Sequence, residues 1–280
     1  SNEIEEAQLP DPEINPEIDA SQDNLITFAV DVDTASYTIA RNLIKNGQTP
    51  PPQGIRVEEF INYFDYRDAP PADLERGPFS VHLDGAPAAF GAGKKMIRVG
   101  IKGFEVQGDE RPEANLVFLL DVSGSMNSEN KLGLVKSSMS LLLENLYPTD
   151  TISIVTYAGY SEVVLPPTEV SNGQVIIDAM NSLRASGGTN GEGGIRAAYD
   201  LAQDAYKTDG INRVILCTDG DFNVGVSGEA LYELIEEKRE EGVTLSVLGF
   251  GMSGYNDGQM EQLANRGNGN YAFIDTLQEA

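Results

Sequence analysis

Apolar residues are distributed along this chain in two styles, and the change comes near residue 113. Before it they are sparse. Residues 25–30 read as a short apolar strand. Tyr37, Ala40, Leu43 and Ile44 then share one helical face that stops at Gly47. Beyond a stiff connector of Pro50, Pro51 and Pro52, Val57, Phe60, Ile61 and Phe64 repeat at i, i+3, i+4, i+7, the spacing of a second amphipathic helix. Residues 79–83 and 96–101 alternate as strands do, with Gly91 and Gly93 in the loop between them. The stretch 25–112 therefore predicts a small α+β attachment.

After residue 113 the apolar positions run together. Residues 116–120 form an unbroken run, and 214–218 and 244–250 are nearly so, as expected of strands buried on both faces. Further strands are predicted at 151–157, 162–165 and 271–274. Helical patterns separate them: Leu132, Val135, Met139, Leu142, Leu143 and Leu146 on one face, then 175–183, then Ile195, Ala198, Ala202 and Ala205, then 229–241 and 259–265. Such alternation predicts an α/β fold over 113–280, a doubly wound, mainly parallel, Rossmann-like sheet covered by helices on both faces. Sheets of this kind bind ligands beyond the carboxyl ends of their strands.

Charge narrows the partners. With 44 acidic and 19 basic residues the net charge is −25, which repels nucleic-acid phosphates and anionic lipid and favours cations. Residues 1–24 hold eight acidic residues, no Lys or Arg, and Pro10, Pro12 and Pro16, a composition that buries too little apolar surface to order itself. We read that segment as a flexible tether, suited to a protein anchored upstream of these residues. No apolar run approaches the ~20 residues that cross a bilayer. Cys217 lies within an apolar run and is read as a small buried hydrophobe.

Three loops at the predicted carboxyl edge carry short oxygen-bearing side chains. The strand 116–120 ends in Asp121, Ser123 and Ser125; the Gly-rich loop 186–194 contains Thr189; the strand 214–218 ends in Asp219. Hard oxygen donors without histidine or a second cysteine imply Mg²⁺, Ca²⁺ or Mn²⁺ and not Zn²⁺. Two carboxylates neutralise a divalent ion, and hydroxyls add contacts without charge. An ion held this way stays electrophilic and can accept one more carboxylate from another molecule. Asp221 and Asn190 lie beside these positions and are assigned no role.

Asp121-x-Ser123-x-Ser125, Thr189 and Asp219, in this order, resemble the metal-ion-dependent adhesion site of the von Willebrand factor A domain family. The resemblance covers 113–280. It implies that the Ser and Thr hydroxyls bind the ion directly, the two Asp directly or through water, and that a protein ligand's Glu or Asp completes the shell. The flanking stretches Val-Asp33-Thr-Ala-Ser-Tyr and Phe-Ile-Asn-Tyr-Phe-Asp-Tyr are similar to bacterial exported lipoproteins that place an accessory region before this domain. The expected protein is thus a non-enzymatic, metal-dependent adhesion module of the cell envelope, with a tether at 1–24, an accessory region at 25–112 and the binding domain at 113–280.

Rival readings come from other classes. Asp31 and Asp33 after an apolar run resemble the start of a dehalogenase-type phosphatase site, but Ala35 stands where that motif expects Val or a hydroxyl. An EF-hand reading of the same pair fails because Asn42 occupies the twelfth position. We read these residues as a strand end and a helix cap supplied by Asp33 or Thr34. Gly249, Gly251 and Gly254 fit a dinucleotide fingerprint with Asp275 further on, yet the five residues after Asp275 leave no strands to complete a nucleotide domain. His82, the single histidine, alternates within a strand, so hydrolase chemistry at Ser123 or Cys217 has no base. An intracellular assembly subunit working with an ATPase is the remaining alternative.

Overall fold

The computed structural model of the chain describes residues 18–19, 21–27, 30, 32–91, 93–106, 110–220, 222, 228–251 and 256–280. In chain order its elements are helices α1 (Ala35–Lys45) and α2 (Val57–Asn62), strands β1 (Phe79–Pro87), β2 (Lys95–Gly103) and β3 (Ala114–Asp121), and helix α3 (Leu134–Leu143). There follow β4 (Thr151–Tyr157), β5 (Ser161–Glu169), α4 (Gly173–Ser182), α5 (Glu192–Asp204) and β6 (Ile211–Thr218). The series closes with α6 (Gly228–Glu240), β7 (Thr244–Phe250), α7 (Asp257–Arg266) and β8 (Asn268–Ile274). These elements fall into two compact units, residues 1–63 with 113–280 and residues 64–112.

The larger unit is built on a six-stranded sheet in the order β5-β4-β3-β6-β7-β8. All neighbours are parallel except β5, which runs antiparallel to β4 at one edge. Pro166 and Pro167 are tolerated in β5 because an edge strand need not donate on both sides, and its pairing carries register shifts. The continuous apolar run of β3 has a direct cause. Val117 and Leu119 join one core with Val155, Val214, Leu216, Leu245 and Val247 under α5, α6 and α7. Leu116, Phe118 and Leu120 join the opposite core with Ile152, Ile154 and Cys217 under α3 and α4. Both faces of the strand are buried, so both sets of alternate positions must be apolar.

Strand order fixes where a ligand can enter. From β3 the chain steps to β4 on one side and later returns to β6 on the other. The topological switch point of the sheet therefore falls between the carboxyl ends of β3 and β6, the position at which doubly wound sheets bind ligands. Asp121 is the last residue of β3, and Asp219 directly follows β6.

Helices α1 and α2, grouped by sequence pattern with the accessory region, share the unit of the six-stranded sheet. Ala35 is fully buried in the core beneath α5 and α7. Asp33 Oδ1 accepts the backbone N–H of Tyr271 in β8 at 2.8 Å, which gives that carboxylate a structural task. Thr34, at the cap position of α1, makes no side-chain cap bond: the helix's second N–H, Ser36, donates instead to Glu59 Oε2 at 2.5 Å, a carboxylate delivered from α2. In the strand expected over 25–30, the described residues 25–27 and 30 take no strand pairing; Leu25 and Ile26 are exposed and gain nothing from a ladder. Asp31 and most of the expected tether lie outside the described residues.

The unit 64–112 is organised by the β1–β2 hairpin, in register from Phe79 opposite Gly103 to Pro87 opposite Lys95. Alternation places Phe79, Val81 and Leu83 on one face with Ile97, Val99 and Ile101. The other face holds Arg98, which bonds both oxygens of Asp68 at 2.7 Å and reaches Asp84. The His82 ring contacts Ser80 Oγ at 3.1 Å and the Ala69 carbonyl at 2.9 Å, a structural arrangement.

Candidate metal centre

Each site residue is placed by an element end. Asp121 terminates the most buried strand of the sheet and is itself fully buried. Its Oδ1 accepts the backbone N–H of Ser123 at 2.8 Å, closing a tight turn that throws the chain out of the sheet. Its Oδ2 accepts the Tyr157 hydroxyl from the end of β4 and the Thr218 hydroxyl from the end of β6, each at 3.2 Å. Three adjacent strands therefore hold one carboxylate. Burial, reinforced by the charge of Asp219, raises the Asp121 carboxyl above its ordinary value.

The turn after Asp121 presents two hydroxyls together. Ser123 is buried, Ser125 is exposed, and their Oγ atoms lie 2.9 Å apart. Met126, fully buried in the core under α3, pins the turn from below. The Gly-rich loop is stitched to the same turn by two backbone bonds, Ser186 N–H to the Val122 carbonyl at 2.7 Å and Gly124 N–H to the Gly187 carbonyl at 3.1 Å. Gly187 has φ +85°, a left-handed conformation that side chains resist, and two residues further on the loop carries Thr189, partly buried.

Asp219 is fully buried. Its Oδ2 pairs with the ammonium of Lys131 at 2.8 Å, while its Oδ1 is buried without a hydrogen-bond partner among the described residues. A buried carboxylate oxygen left in that state is costly unless something positive meets it.

Comparison with known proteins identifies the frame around this site. A family model described as von Willebrand factor matches residues 4–98, and one described as von Willebrand factor type A domain matches residues 116–221. The chain contains a von Willebrand factor type A (vWA) domain. It is 43% identical over 272 residues to the uncharacterized protein YfbK of Escherichia coli, covering 95% of this chain and 47% of that protein. The chain thus spans about half the length of this curated relative. Among solved structures, the von Willebrand factor type A protein of Catenulispora acidiphila superposes with a TM-score of 0.53 at 18% identity, over 77% of this chain and 48% of that one. Proximal thread matrix protein 1 of the mussel byssus, described with a zinc-occupied MIDAS motif, gives a TM-score of 0.50 at 21% identity over 60% of this chain and 45% of that one. At those identities the likeness shows the fold.

Within the vWA domain, four of the five expected residues stand in one bonded neighbourhood: Asp121, Ser123 and Ser125 through direct hydrogen bonds, and Asp219 through Lys131, whose ammonium also donates to the Ser125 carbonyl at 3.1 Å. Thr189 lies two residues beyond the backbone stitching at Gly187. The donor set suits a hard cation. Two buried carboxylates, one with an oxygen unpartnered among the described residues, face a pair of mutually bonded hydroxyls. Among the described residues no group of three His, Cys, Asp or Glu side chains gathers as a metal cage, so hydroxyls are needed to complete any shell. Asp221 lies outside the described residues, and Asn190 is exposed.

Sequence reading missed Lys131, Tyr157 and Thr218. Tyr157 and Thr218 carried a usable signal, since each is a polar residue at the carboxyl end of a predicted buried strand beside β3. Lys131 carried none, because a lysine before an amphipathic helix reads as solvent-facing. Cys217 is buried and its thiol is pushed up by that burial, in keeping with a core residue.

Proposed function

We propose that the vWA domain is a metal-dependent protein-binding module in which Asp121, Ser123, Ser125, Thr189 and Asp219 hold Mg²⁺, with Ca²⁺ or Mn²⁺ as substitutes. When bound, the ion supplies a Lewis-acidic position for a carboxylate of a protein ligand. The chain's own residues do the rest. Tyr157 and Thr218 orient Asp121, the turn at Gly124 presents the two serine hydroxyls, and the loop stitched at 186–187 carries Thr189 two residues on.

The single observation behind this reading is Asp219 Oδ1, buried at the switch point of the sheet beside a second buried carboxylate and without a hydrogen-bond partner among the described residues. Membership of the vWA family supports an interaction role over a catalytic one. Export and envelope tethering belong to the same proposal; the acidic, Pro-bearing residues 1–24 support them.

Calorimetric titration of Mg²⁺, Ca²⁺, Mn²⁺ and Zn²⁺ into the wild type and Asp219→Ala tests the site. Saturable heat with Mg²⁺ in the wild type and at least ~100-fold weaker binding in the variant is the expected result. Equal heats from the two proteins overturn the assignment.

A further inference from the structure

The site contains a cation of its own. Lys131 is 6% exposed, and its ammonium lies 2.8 Å from Asp219 Oδ2 and 3.1 Å from the Ser125 carbonyl, between the first and third chain segments of the proposed site. A lysine is almost never so buried unless its charge is engaged.

Two features hold it there. Lys131 sits in a π-type turn over Glu129–Gly133, in which the Gly133 N–H reaches back to the Ser128 carbonyl. Wide turns of this kind insert an extra residue before a helix and re-aim its side chains. The stem of the lysine then runs under Gly251, at the end of β7. A Cβ at that position would lie 2.3 Å from Lys131 Cε and 2.9 Å from Cγ, so only glycine, here at φ +75°, leaves room for it. The ammonium is thus confined and not free to swing out to solvent.

Formal charge shows the consequence. Asp121 and Asp219 contribute −2 and Lys131 +1, so these three groups together carry −1 without metal and a divalent ion brings them to +1. One carboxylate from a partner restores neutrality. With a neutral residue at 131, the ion alone neutralises the two carboxylates and a partner carboxylate leaves them at −1. Asp219 can serve both cations at once, since Oδ2 faces Lys131 and Oδ1 has no hydrogen-bond partner among the described residues.

We propose, resting on the metal-site reading, that Lys131 is the residue that couples the ion to the partner: a built-in counter-cation that weakens binding of the bare ion and reserves one positive charge for an incoming carboxylate. It acts by positioning charge, since buried like charges a few ångströms apart repel far more strongly than in water.

The test uses the 280-residue chain as wild type, Lys131→Met and Lys131→Arg, with Mg²⁺ as probe and acetate or chloride as the anion at equal ionic strength. Lys131→Met should bind Mg²⁺ about tenfold more tightly in chloride, and Lys131→Arg should stay near wild type. Replacing chloride by acetate should tighten Mg²⁺ binding about two- to fivefold in the wild type and not in Lys131→Met. Melting in chelator supplies a readout separate from affinity. Lys131→Met should melt lower than wild type without metal and regain more on saturation with Mg²⁺.

Wild type that binds Mg²⁺ while Lys131→Met binds equally or more weakly overturns this inference and leaves the site standing. Failure of wild type and variant alike to bind Mg²⁺, Ca²⁺ or Mn²⁺ overturns both. If Lys131→Met is unfolded in chelator, folding on addition of Mg²⁺ supports the inference, and remaining unfolded at saturating Mg²⁺ counts against it.

Discussion

Two groups of buried or half-buried carboxylates sit in the same unit of this protein and are treated in opposite ways. At the N-terminal helices, Arg56 bonds both Glu59 and Asp257, with Asp257 Oδ1 at 3.1 Å from the guanidinium and also accepting the Tyr271 hydroxyl at 2.5 Å, while Glu59 Oε2 takes the Ser36 N–H. All four oxygens have a donor. At the carboxyl edge of β3 and β6, Asp121 is satisfied on both oxygens but, among the described residues, Asp219 is satisfied on only one. Complete satisfaction marks a clamp, whose task is to fasten α1 and α2 to α7 and β8. An oxygen left over in a fully buried carboxylate marks a place where a ligand is expected.

Substitutions can separate the two. Arg56→Ala should have the largest effect, lowering stability by about 3–5 kcal/mol, because it leaves Glu59 buried with its strongest partner gone. Urea unfolding of the metal-free chain measures this, and Mg²⁺ affinity of the folded fraction should be unchanged; a loss of affinity as large as that of Asp219→Ala would erase the distinction between clamp and site.

A pair of serines gives a finer contrast. Ser36 is fully buried, donates from Oγ to the Gly54 carbonyl at 2.7 Å and accepts the Arg56 N–H at 2.9 Å. Ser36→Ala should cost about 1–3 kcal/mol of stability with no change in Mg²⁺ binding. Ser125 is exposed, so Ser125→Ala should leave stability within about 0.5 kcal/mol and weaken Mg²⁺ roughly tenfold. The same two assays, run on both variants, show whether the effects cross.

Acidity provides the mildest probe. The Asp121 carboxyl is raised by burial and by Asp219, so it holds its proton to higher pH than an ordinary carboxylate. In the metal-free protein its contribution to stability is therefore present below the unfolded value of 3.8 and lost as pH rises through the folded value. Mg²⁺ must displace that proton, and its affinity should begin to fall at a higher pH than an ordinary carboxylate would give as acid is added. Calorimetry across pH 4–7 would read this as proton release on binding; affinity independent of pH over that window would mean that Asp121 does not face the ion.

Much of this was legible in the residues themselves. The run from Leu116 to Leu120 marks a strand buried on both faces, and the alternation after it marks a parallel sheet, because each rests on periodicity within a single element. Asp121, Ser123 and Ser125 follow from the same stretch. Their convergence with Asp219 follows from a general rule, that consecutive parallel strands bring their carboxyl ends to one edge. Element ends were less legible: α3 was expected to continue to Leu146 but stops at Leu143, and β5 extends through two prolines that a single-sequence pattern ends early.

The chain by itself thus points to most of the strands, to the carboxyl edge of the parallel sheet, and to five oxygen-bearing side chains in the loops after its strands and helices, since local pattern and a fixed handedness of connection suffice for these. Tertiary structure alone decides which of those oxygens are already engaged. The contacts that do so join residues far apart in sequence: Lys131 with Asp219, Thr218 and Tyr157 with Asp121, Glu59 with Ser36, Arg56 with Asp257. Such pairs depend on strand order, on the turn of a helix face and on the room left by a glycine such as Gly251, and no periodicity within one element encodes them.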